Sequence, residues 1–326
     1  MITLVIIIIL LALLFDFYNG MNDAANSIAT IVSTRVLSPK LAVLWAAIFN
    51  FLAAFFFGVK VAKTMGKGII DPSIVDSYLI LMAVVSGIIW TAIATHLGLP
   101  ISVSHSLIGG MVGAGIAKAG LGAVIFKGIF KVLIFIFLSP IIGFFFGIFL
   151  IIITTWIVKD YPPSKIDKYF RIFQLFSAAS YSLGHGTNDA QKTMGIIAIL
   201  LYSNGMLGDE FYVPFWVVII CHLFIALGTL VGGWAVIKTL GMKITKLRPI
   251  DGFAAETASA LTLFGTAHAG IPVSTTHTIT GAIVGVGSTK RLSAVRWGVA
   301  GNVVLAWIFT IPFTFFISYL FYKIFL

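Results

Sequence analysis

Apolar residues do not alternate along this chain; they come in unbroken runs, at 41–59, 78–97, 124–138, 141–157, 213–236 and 299–319. Roughly 20 consecutive apolar residues suffice for a helix to cross a bilayer. Continuity at that length predicts membrane-spanning α-helices and argues against a transmembrane β-barrel, whose strands alternate. Residues 1–15 form a further apolar stretch with no basic leader and no small-residue cleavage site, so it reads as a retained first helix rather than a signal peptide. One charged segment with adjacent prolines, Lys159-Asp160-Tyr161-Pro162-Pro163-Ser164-Lys165-Ile166-Asp167-Lys168, is the one good boundary. The expected organisation is transmembrane repeat A over 1–158, a cytoplasmic linker at 159–170 and transmembrane repeat B over 171–326.

The polar clusters that interrupt the apolar sequence occur twice. Gly20-Met21-Asn22-Asp23-Ala24-Ala25-Asn26-Ser27 returns as Gly186-Thr187-Asn188-Asp189-Ala190-Gln191-Lys192-Thr193, at an offset of 166 (188−22). Gly98-Leu99-Pro100-Ile101-Ser102-Val103-Ser104-His105-Ser106 returns as Gly270-Ile271-Pro272-Val273-Ser274-Thr275-Thr276-His277-Thr278, at an offset of 172 (274−102). His96 aligns with His268 and Pro140 with Pro312 at the same 172. Polar and proline residues held in register over so long a span indicate duplication. The basic loop at 35–40 has its counterpart near the acidic Asp209 and Glu210, as equivalent loops on opposite faces would. The fold expected is therefore an all-α polytopic membrane protein. Two inverted repeats would place broken helices or re-entrant hairpins around a site at the membrane midplane.

Composition sharpens this picture. Charged residues make up 10% of the chain, against about 25% in soluble domains. The net charge of +10 (21 Lys+Arg against 11 Asp+Glu) would suggest nucleic acid in a soluble protein. Here Lys159, Lys165, Lys168 and Arg171, and then Lys238, Lys243, Lys246 and Arg248, cluster in short loops. That distribution follows the positive-inside rule for a multi-pass protein of the cell's inner (plasma) membrane, so no nucleic-acid partner is expected. The lone Cys221 lies in an apolar run and reads as a packing residue.

Carboxylates at bilayer depth are rare and mark ion or substrate pathways. Asp23 and Asp189 supply negative charge, and Asn22, Asn26 and Asn188 supply neutral oxygens. Gly20 and Gly186 would let the backbone break just before each motif, exposing carbonyls. Such hard oxygen donors suit Na+ and could also serve a proton relay. The hydroxyls of Ser102, Ser104, Ser106, Ser274, Thr275, Thr276 and Thr278 follow strong helix breakers, where free N–H groups and the positive helix end favour an anion. Two such ends converging from inverted repeats would cradle a tetrahedral oxyanion. Gln191 could touch that anion; Lys192 could neutralise Asp189, touch the anion, or reach out to water. His105 and His277 read as structural. Glu256 enters a hydrophobic helix as a cation ligand, a proton acceptor or a partner for repeat A. No nucleophile–base arrangement and no metal–histidine cluster is visible, which argues against an enzyme.

These motifs carry a resemblance. Gly20–Ser27, its second copy at 186–193, the paired Pro-x-Ser-x-Ser/Thr-His runs and the Arg248-Pro249-x-x-Gly252-Phe253-x-Ala255-Glu256 stretch are similar to the signature of the inorganic phosphate transporter (PiT) family. The resemblance covers nearly the whole chain. It implies symport of inorganic phosphate with a cation, through inverted repeats, commonly as a homodimer in the lipid bilayer. It also implies that Asp23, Asn26 and Asp189 are cation ligands, and that the hydroxyl runs with Gln191 surround phosphate. Asn50 departs from the family resemblance, standing where many members carry a glutamate; the linker is short as well. The reading is a secondary active phosphate symporter with Na+ as coupling ion, working by alternating access without a cofactor. Proton-coupled or metal-phosphate symport and sulfate transport are the alternatives.

Overall fold

The computed structural model describes residues 2–56 and 58–326, and among these all regular structure is helical. Repeat A contributes α1 (Ile2–Ser33), α2 (Pro39–Leu52), α3 (Lys60–Lys67), α4 (Ser77–Leu97), α5 (Val103–Ala119) and α6 (Phe126–Ile157). Repeat B mirrors the series with α7 (Pro163–Ser203), α8 (Phe215–Val231), α9 (Trp234–Lys238), α10 (Pro249–His268), α11 (Thr275–Ser288) and α12 (Trp297–Phe325). Among the described residues, α1, α4, α6 and α12 are long and apolar enough to span a membrane. The equivalent pairs α2–α3 and α8–α9 are bent by 82° and 65°, each as a broken span or re-entrant segment.

The packing repeats as the sequence does. α5 lies on α12 as α11 lies on α6; α1 lies on α8 as α7 lies on α2; α4 meets α1 as α10 meets α7. Each crossing joins one repeat to the other or is matched by its mate, as two inverted halves require.

α5 has 17 residues and α11 has 14. At 1.5 Å per residue they reach about 26 and 21 Å, short of the roughly 30 Å hydrocarbon core. Each follows a break built by the Gly-x-Pro signal. Gly98 and Gly270 turn the chain at φ 71° and 66°, a conformation only glycine adopts freely. Ser102 and Ser274 then take the extended N-cap conformation of the short helices. The starts of the two helices meet: the Thr276 hydroxyl donates to the Ile101 carbonyl at 2.9 Å, and the His105 and His277 rings lie 5.0 Å apart.

Two expectations are corrected. The runs at 124–138 and 141–157 are one helix, α6, with Pro140 inside it. Proline removes one N–H and frees the carbonyl four residues back. That carbonyl, of Ile136, accepts from His277 Nδ1 at 3.2 Å, so the helix continues with its lost bond replaced. Nor does the backbone break at Gly20 or Gly186, because α1 and α7 run straight through both motifs. A Cβ on Gly20 would lie 2.1 Å from the Ile225 carbonyl oxygen, and one on Gly186 would lie 2.6 Å from that of Asn50. These glycines admit a neighbouring helix at close range, as small residues do in membrane helix packing. The connector stretch is itself partly helical, since α7 starts at Pro163.

Candidate functional site

Polar residues run as a stripe along the two long motif helices. On α1 they are Asp16, Asn19, Asp23, Asn26 and Thr30, three or four apart and thus on one face. On α7 the corresponding stripe is Gln174, Ser177, Tyr181, His185, Asn188/Asp189 and Lys192, all buried. The stripes come together where the starts of α5 and α11 meet, and there Asp23, Asn26, Asp189, Ser104, Thr275 and Thr276 gather.

On the repeat A side, the Thr276 hydroxyl lies 3.0 Å from Asp23 Oδ1 and 2.9 Å from the Ile101 carbonyl. Asn26 Nδ2 donates to that hydroxyl at 2.9 Å. A hydroxyl has one proton, so it can serve only one of the two oxygens at a time. On the repeat B side, the Lys192 ammonium donates to Asp189 Oδ1, to Ser104 Oγ and, at 2.8 Å, to the Val273 carbonyl. Between them, Thr275 donates to Asp189 Oδ2 at 2.9 Å and lies 3.5 Å from Asp23 Oδ2. Asp23, Asp189, Lys192, His185 and the three hydroxyl residues are all buried, so the cluster is shut off from both sides.

His185 completes the centre. Its Nε2 stands 3.2 Å from Asp189 Oδ2 and 3.7 Å from Asp23 Oδ2. Its Nδ1 meets Asn50 Oδ1 at 3.0 Å, while Asn50 Nδ2 donates to Thr229 at 2.9 Å. With its amide nitrogen bound to Thr229, Asn50 presents its oxygen to the ring, and Nδ1 is the donor. Asn50 therefore holds the imidazole with Nε2 toward both carboxylates. That nitrogen and one oxygen from each aspartate lie within 4.8 Å of one another. No metal–histidine grouping is visible along the sequence; folding makes this one.

Other expected residues are placed differently. Gln191 does not face the cluster: its Oε1 accepts from the Val61 and Ala62 amides at 2.9 and 3.2 Å, and its Nε2 donates to Gly58 O at 2.7 Å. It caps α3 at the bend after α2. Ser106 and Thr278 turn back onto their own helices, donating to Val103 O and Ser274 O. Ser274 caps α11 through the His277 amide at 3.2 Å. Glu256 is not brought to the other cation-ligand candidates. It accepts from Thr30 at 2.5 Å, Gln174 at 3.0 Å and Ser177, and Thr30 lies seven residues, about 10 Å, along α1 from Asp23.

Asn22 braces α1 against Thr95 and Leu99, and Asn188 braces α7 against Leu263 of α10 while also bonding Gly184 O one turn back on its own helix, each through its Nδ2. Both Oδ1 atoms, with Asn26 Oδ1 and Ser102 Oγ, are buried with no hydrogen-bond partner. Fewer than about one buried polar group in ten is left so. The three asparagine oxygens lie in the Asp-bearing motifs, and oxygens with free lone pairs beside a carboxylate are a donor set suited to a hard cation.

Seven residues of the stripes are not among the candidates read from the sequence motifs: Asp16, Asn19, Thr30, Gln174, Ser177, Tyr181 and His185. Asp16 accepts from Thr193 at 2.9 Å across the α1–α7 crossing. Carrying the 3–4 spacing of Asp23 and Asn26 backward would have found Asp16 and Asn19. Extending the 166-residue register one position upstream of Gly186 would have found His185, the mate of Asn19.

Inverted repeats, two short helices whose starts meet and a buried charged cluster between them are the architecture expected of a membrane transporter. Comparison with known proteins gives the family. The phosphate transporter family profile matches residues 19–318. A Rhizobium meliloti protein named "Probable low-affinity inorganic phosphate transporter" is 58% identical, over 97% of this chain and 94% of its own. A Bacillus subtilis protein of the same name is 44% identical, over 95% and 93%. The solved structure of "The sodium-dependent phosphate transporter" superposes with a TM-score of 0.90 at 26% identity, covering 99% of both chains. The chain belongs to the phosphate transporter family.

Proposed function

We propose that this chain is a Na+-coupled symporter of inorganic phosphate in the inner (plasma) membrane, working by alternating access and carrying out no covalent chemistry. The observation that supports it most is the donor set on the repeat A side. Asp23 Oδ1, the Thr276 hydroxyl and the Ile101 carbonyl are three hard oxygens around one formal negative charge, with the Asn26 amide bonded to the hydroxyl. A cation among them would relieve the competition for the single Thr276 proton. The anion would meet the start of α5 and α11, where Ser102 Oγ is free and Ser104 and Thr275 adjoin the cluster. Phosphate carries one to two negative charges, and moving it alone through low dielectric is prohibitive. A Na+ held there cancels the Asp23 charge that would otherwise repel the anion, and that repulsion grows as the effective dielectric falls. Coupling then follows from electrostatics: each ion lowers the cost of burying the other.

Reconstituted into liposomes, the protein is expected to take up radiolabelled phosphate uphill with an inward Na+ gradient, and not with choline at equal pH. Excess sulfate should leave that uptake unaffected. Uptake driven by a pH gradient regardless of Na+ would assign the coupling to protons instead. A second reading, symport of a metal–phosphate complex, draws on the Asp23–His185–Asp189 grouping. It predicts that chelating divalent metal abolishes uptake while Na+ remains present.

A further inference from the structure

The two repeats build the same constellation of oxygens twice, and the chain fills one of them itself. In the register of the duplication, Asp23 is the mate of Asp189, Thr276 of Ser104, Ile101 of Val273 and Asn26 of Lys192. On the repeat A side, the Thr276 hydroxyl touches Asp23 Oδ1 and Ile101 O, with the Asn26 amide beside it. On the repeat B side, the ammonium of Lys192 bonds the mates of those three groups: Asp189 Oδ1, Ser104 Oγ and Val273 O. Lys192 is about 1% exposed, so its charge is fully withdrawn from water. A buried ammonium is tolerable only when its donors and its charge are met, and here three oxygens meet three N–H bonds. The repeat A site has the same carboxylate, hydroxyl and carbonyl, but a neutral amide replaces the ammonium.

We infer that Lys192 is a tethered cation occupying the second of two repeat-related cation sites, so the transporter uses one mobile cation there fewer than its duplicated architecture provides. This rests on the reading of the repeat A oxygens as a Na+ site. A fixed positive charge neutralises Asp189, and so removes its repulsion of the anion, in every cycle without being transported. A mobile ion does the same and is carried across with the anion, adding its gradient to the driving force. Substituting lysine for the repeat's asparagine thus trades accumulation for economy of Na+. It also makes the two aspartates unequal, Asp23 depending on a cation from solution and Asp189 on one from the chain.

The test exchanges the two mates. Lys192→Asn restores the repeat A residue on the repeat B side, and it is expected to raise the number of Na+ carried per phosphate by one. The flux ratio of 22Na+ to radiolabelled phosphate, and the reversal potential of the proteoliposomes, measure that number. Without transport, Na+ titration of the thermal unfolding midpoint should show a steeper dependence on log Na+ concentration than in the wild type, reporting the added site. The mirror change, Asn26→Lys, places an ammonium on the repeat A side. It should leave a folded protein whose midpoint no longer responds to Na+, and it carries the test if Lys192→Asn does not fold. An unchanged flux ratio and slope in a folded Lys192→Asn protein would overturn the inference, as would an undiminished Na+ response in Asn26→Lys. A wild type whose uptake and unfolding both ignore Na+ would instead remove the underlying assignment of the repeat A site, a result distinct from either.

Discussion

Replacing Asp23 by asparagine is expected to lower Na+-driven phosphate uptake at least about 30-fold while leaving the protein folded. The magnitude follows from removing one charged partner of a buried contact, which costs about 2–5 kcal/mol, and tenfold corresponds to about 1.4 kcal/mol. The fold should survive because an amide keeps what Asp23 does locally. Its oxygen can still accept from Thr276 at the 3.0 Å position, and no lysine or arginine is held by the Asp23 carboxylate among the described residues. Only the formal charge is lost, and that charge is what a solution cation needs. The check is initial-rate uptake in proteoliposomes beside the unfolding midpoint in detergent. A variant that keeps uptake within a few-fold of wild type would remove Asp23 from the coupling site.

The second large effect falls on the other aspartate and on stability. Asp189→Ala strips the Lys192 ammonium of its carboxylate at a position about 1% exposed. Breaking one partner of a buried ion pair costs about 3–5 kcal/mol, because the remaining charge is left uncompensated. A marked fall in unfolding midpoint and in membrane yield is expected. The double variant Asp189→Ala with Lys192→Met removes the stranded charge and should recover most of that loss, though not transport. A double variant as unstable as the single one would show that Asp189 stabilises through Thr275 and His185 rather than through Lys192. Two residues identical in their motifs are thus expected to fail differently, Asp23 in transport and Asp189 in folding.

Much of this was legible along the chain. The duplicated Asn-Asp and Gly-x-Pro-x-Ser motifs are polar exceptions in apolar sequence, and their register alone shows the two halves. The Gly-x-Pro breaks before α5 and α11 formed as expected, since a left-handed glycine two residues before a proline leaves a helix few continuations. Gly20 and Gly186 were not legible in the same way. A glycine in an apolar run signals either a break or a close crossing, and only the arrival of the Ile225 and Asn50 backbones decides which. Pro140 has the same ambiguity, resolved by a histidine 137 residues further on (277−140) that takes the freed carbonyl. Glu256 was a candidate as a carboxylate entering an apolar helix. What separates it from Asp23 is two helical turns and three donors that no local pattern announces. The position of Lys192 was open between three roles until the packing set Ser104 and Val273 around its ammonium.

The measurement that bears most directly on the central claim reverses the usual experiment. Proteoliposomes are given equal Na+ on both sides and an inward phosphate gradient, with the membrane potential clamped, and the entry of 22Na+ is followed. Symport through the Asp23 site predicts transient uphill accumulation of 22Na+, abolished by Asp23→Asn and absent when sulfate replaces phosphate. If phosphate runs down its gradient and 22Na+ merely equilibrates, phosphate and Na+ are not coupled in this protein.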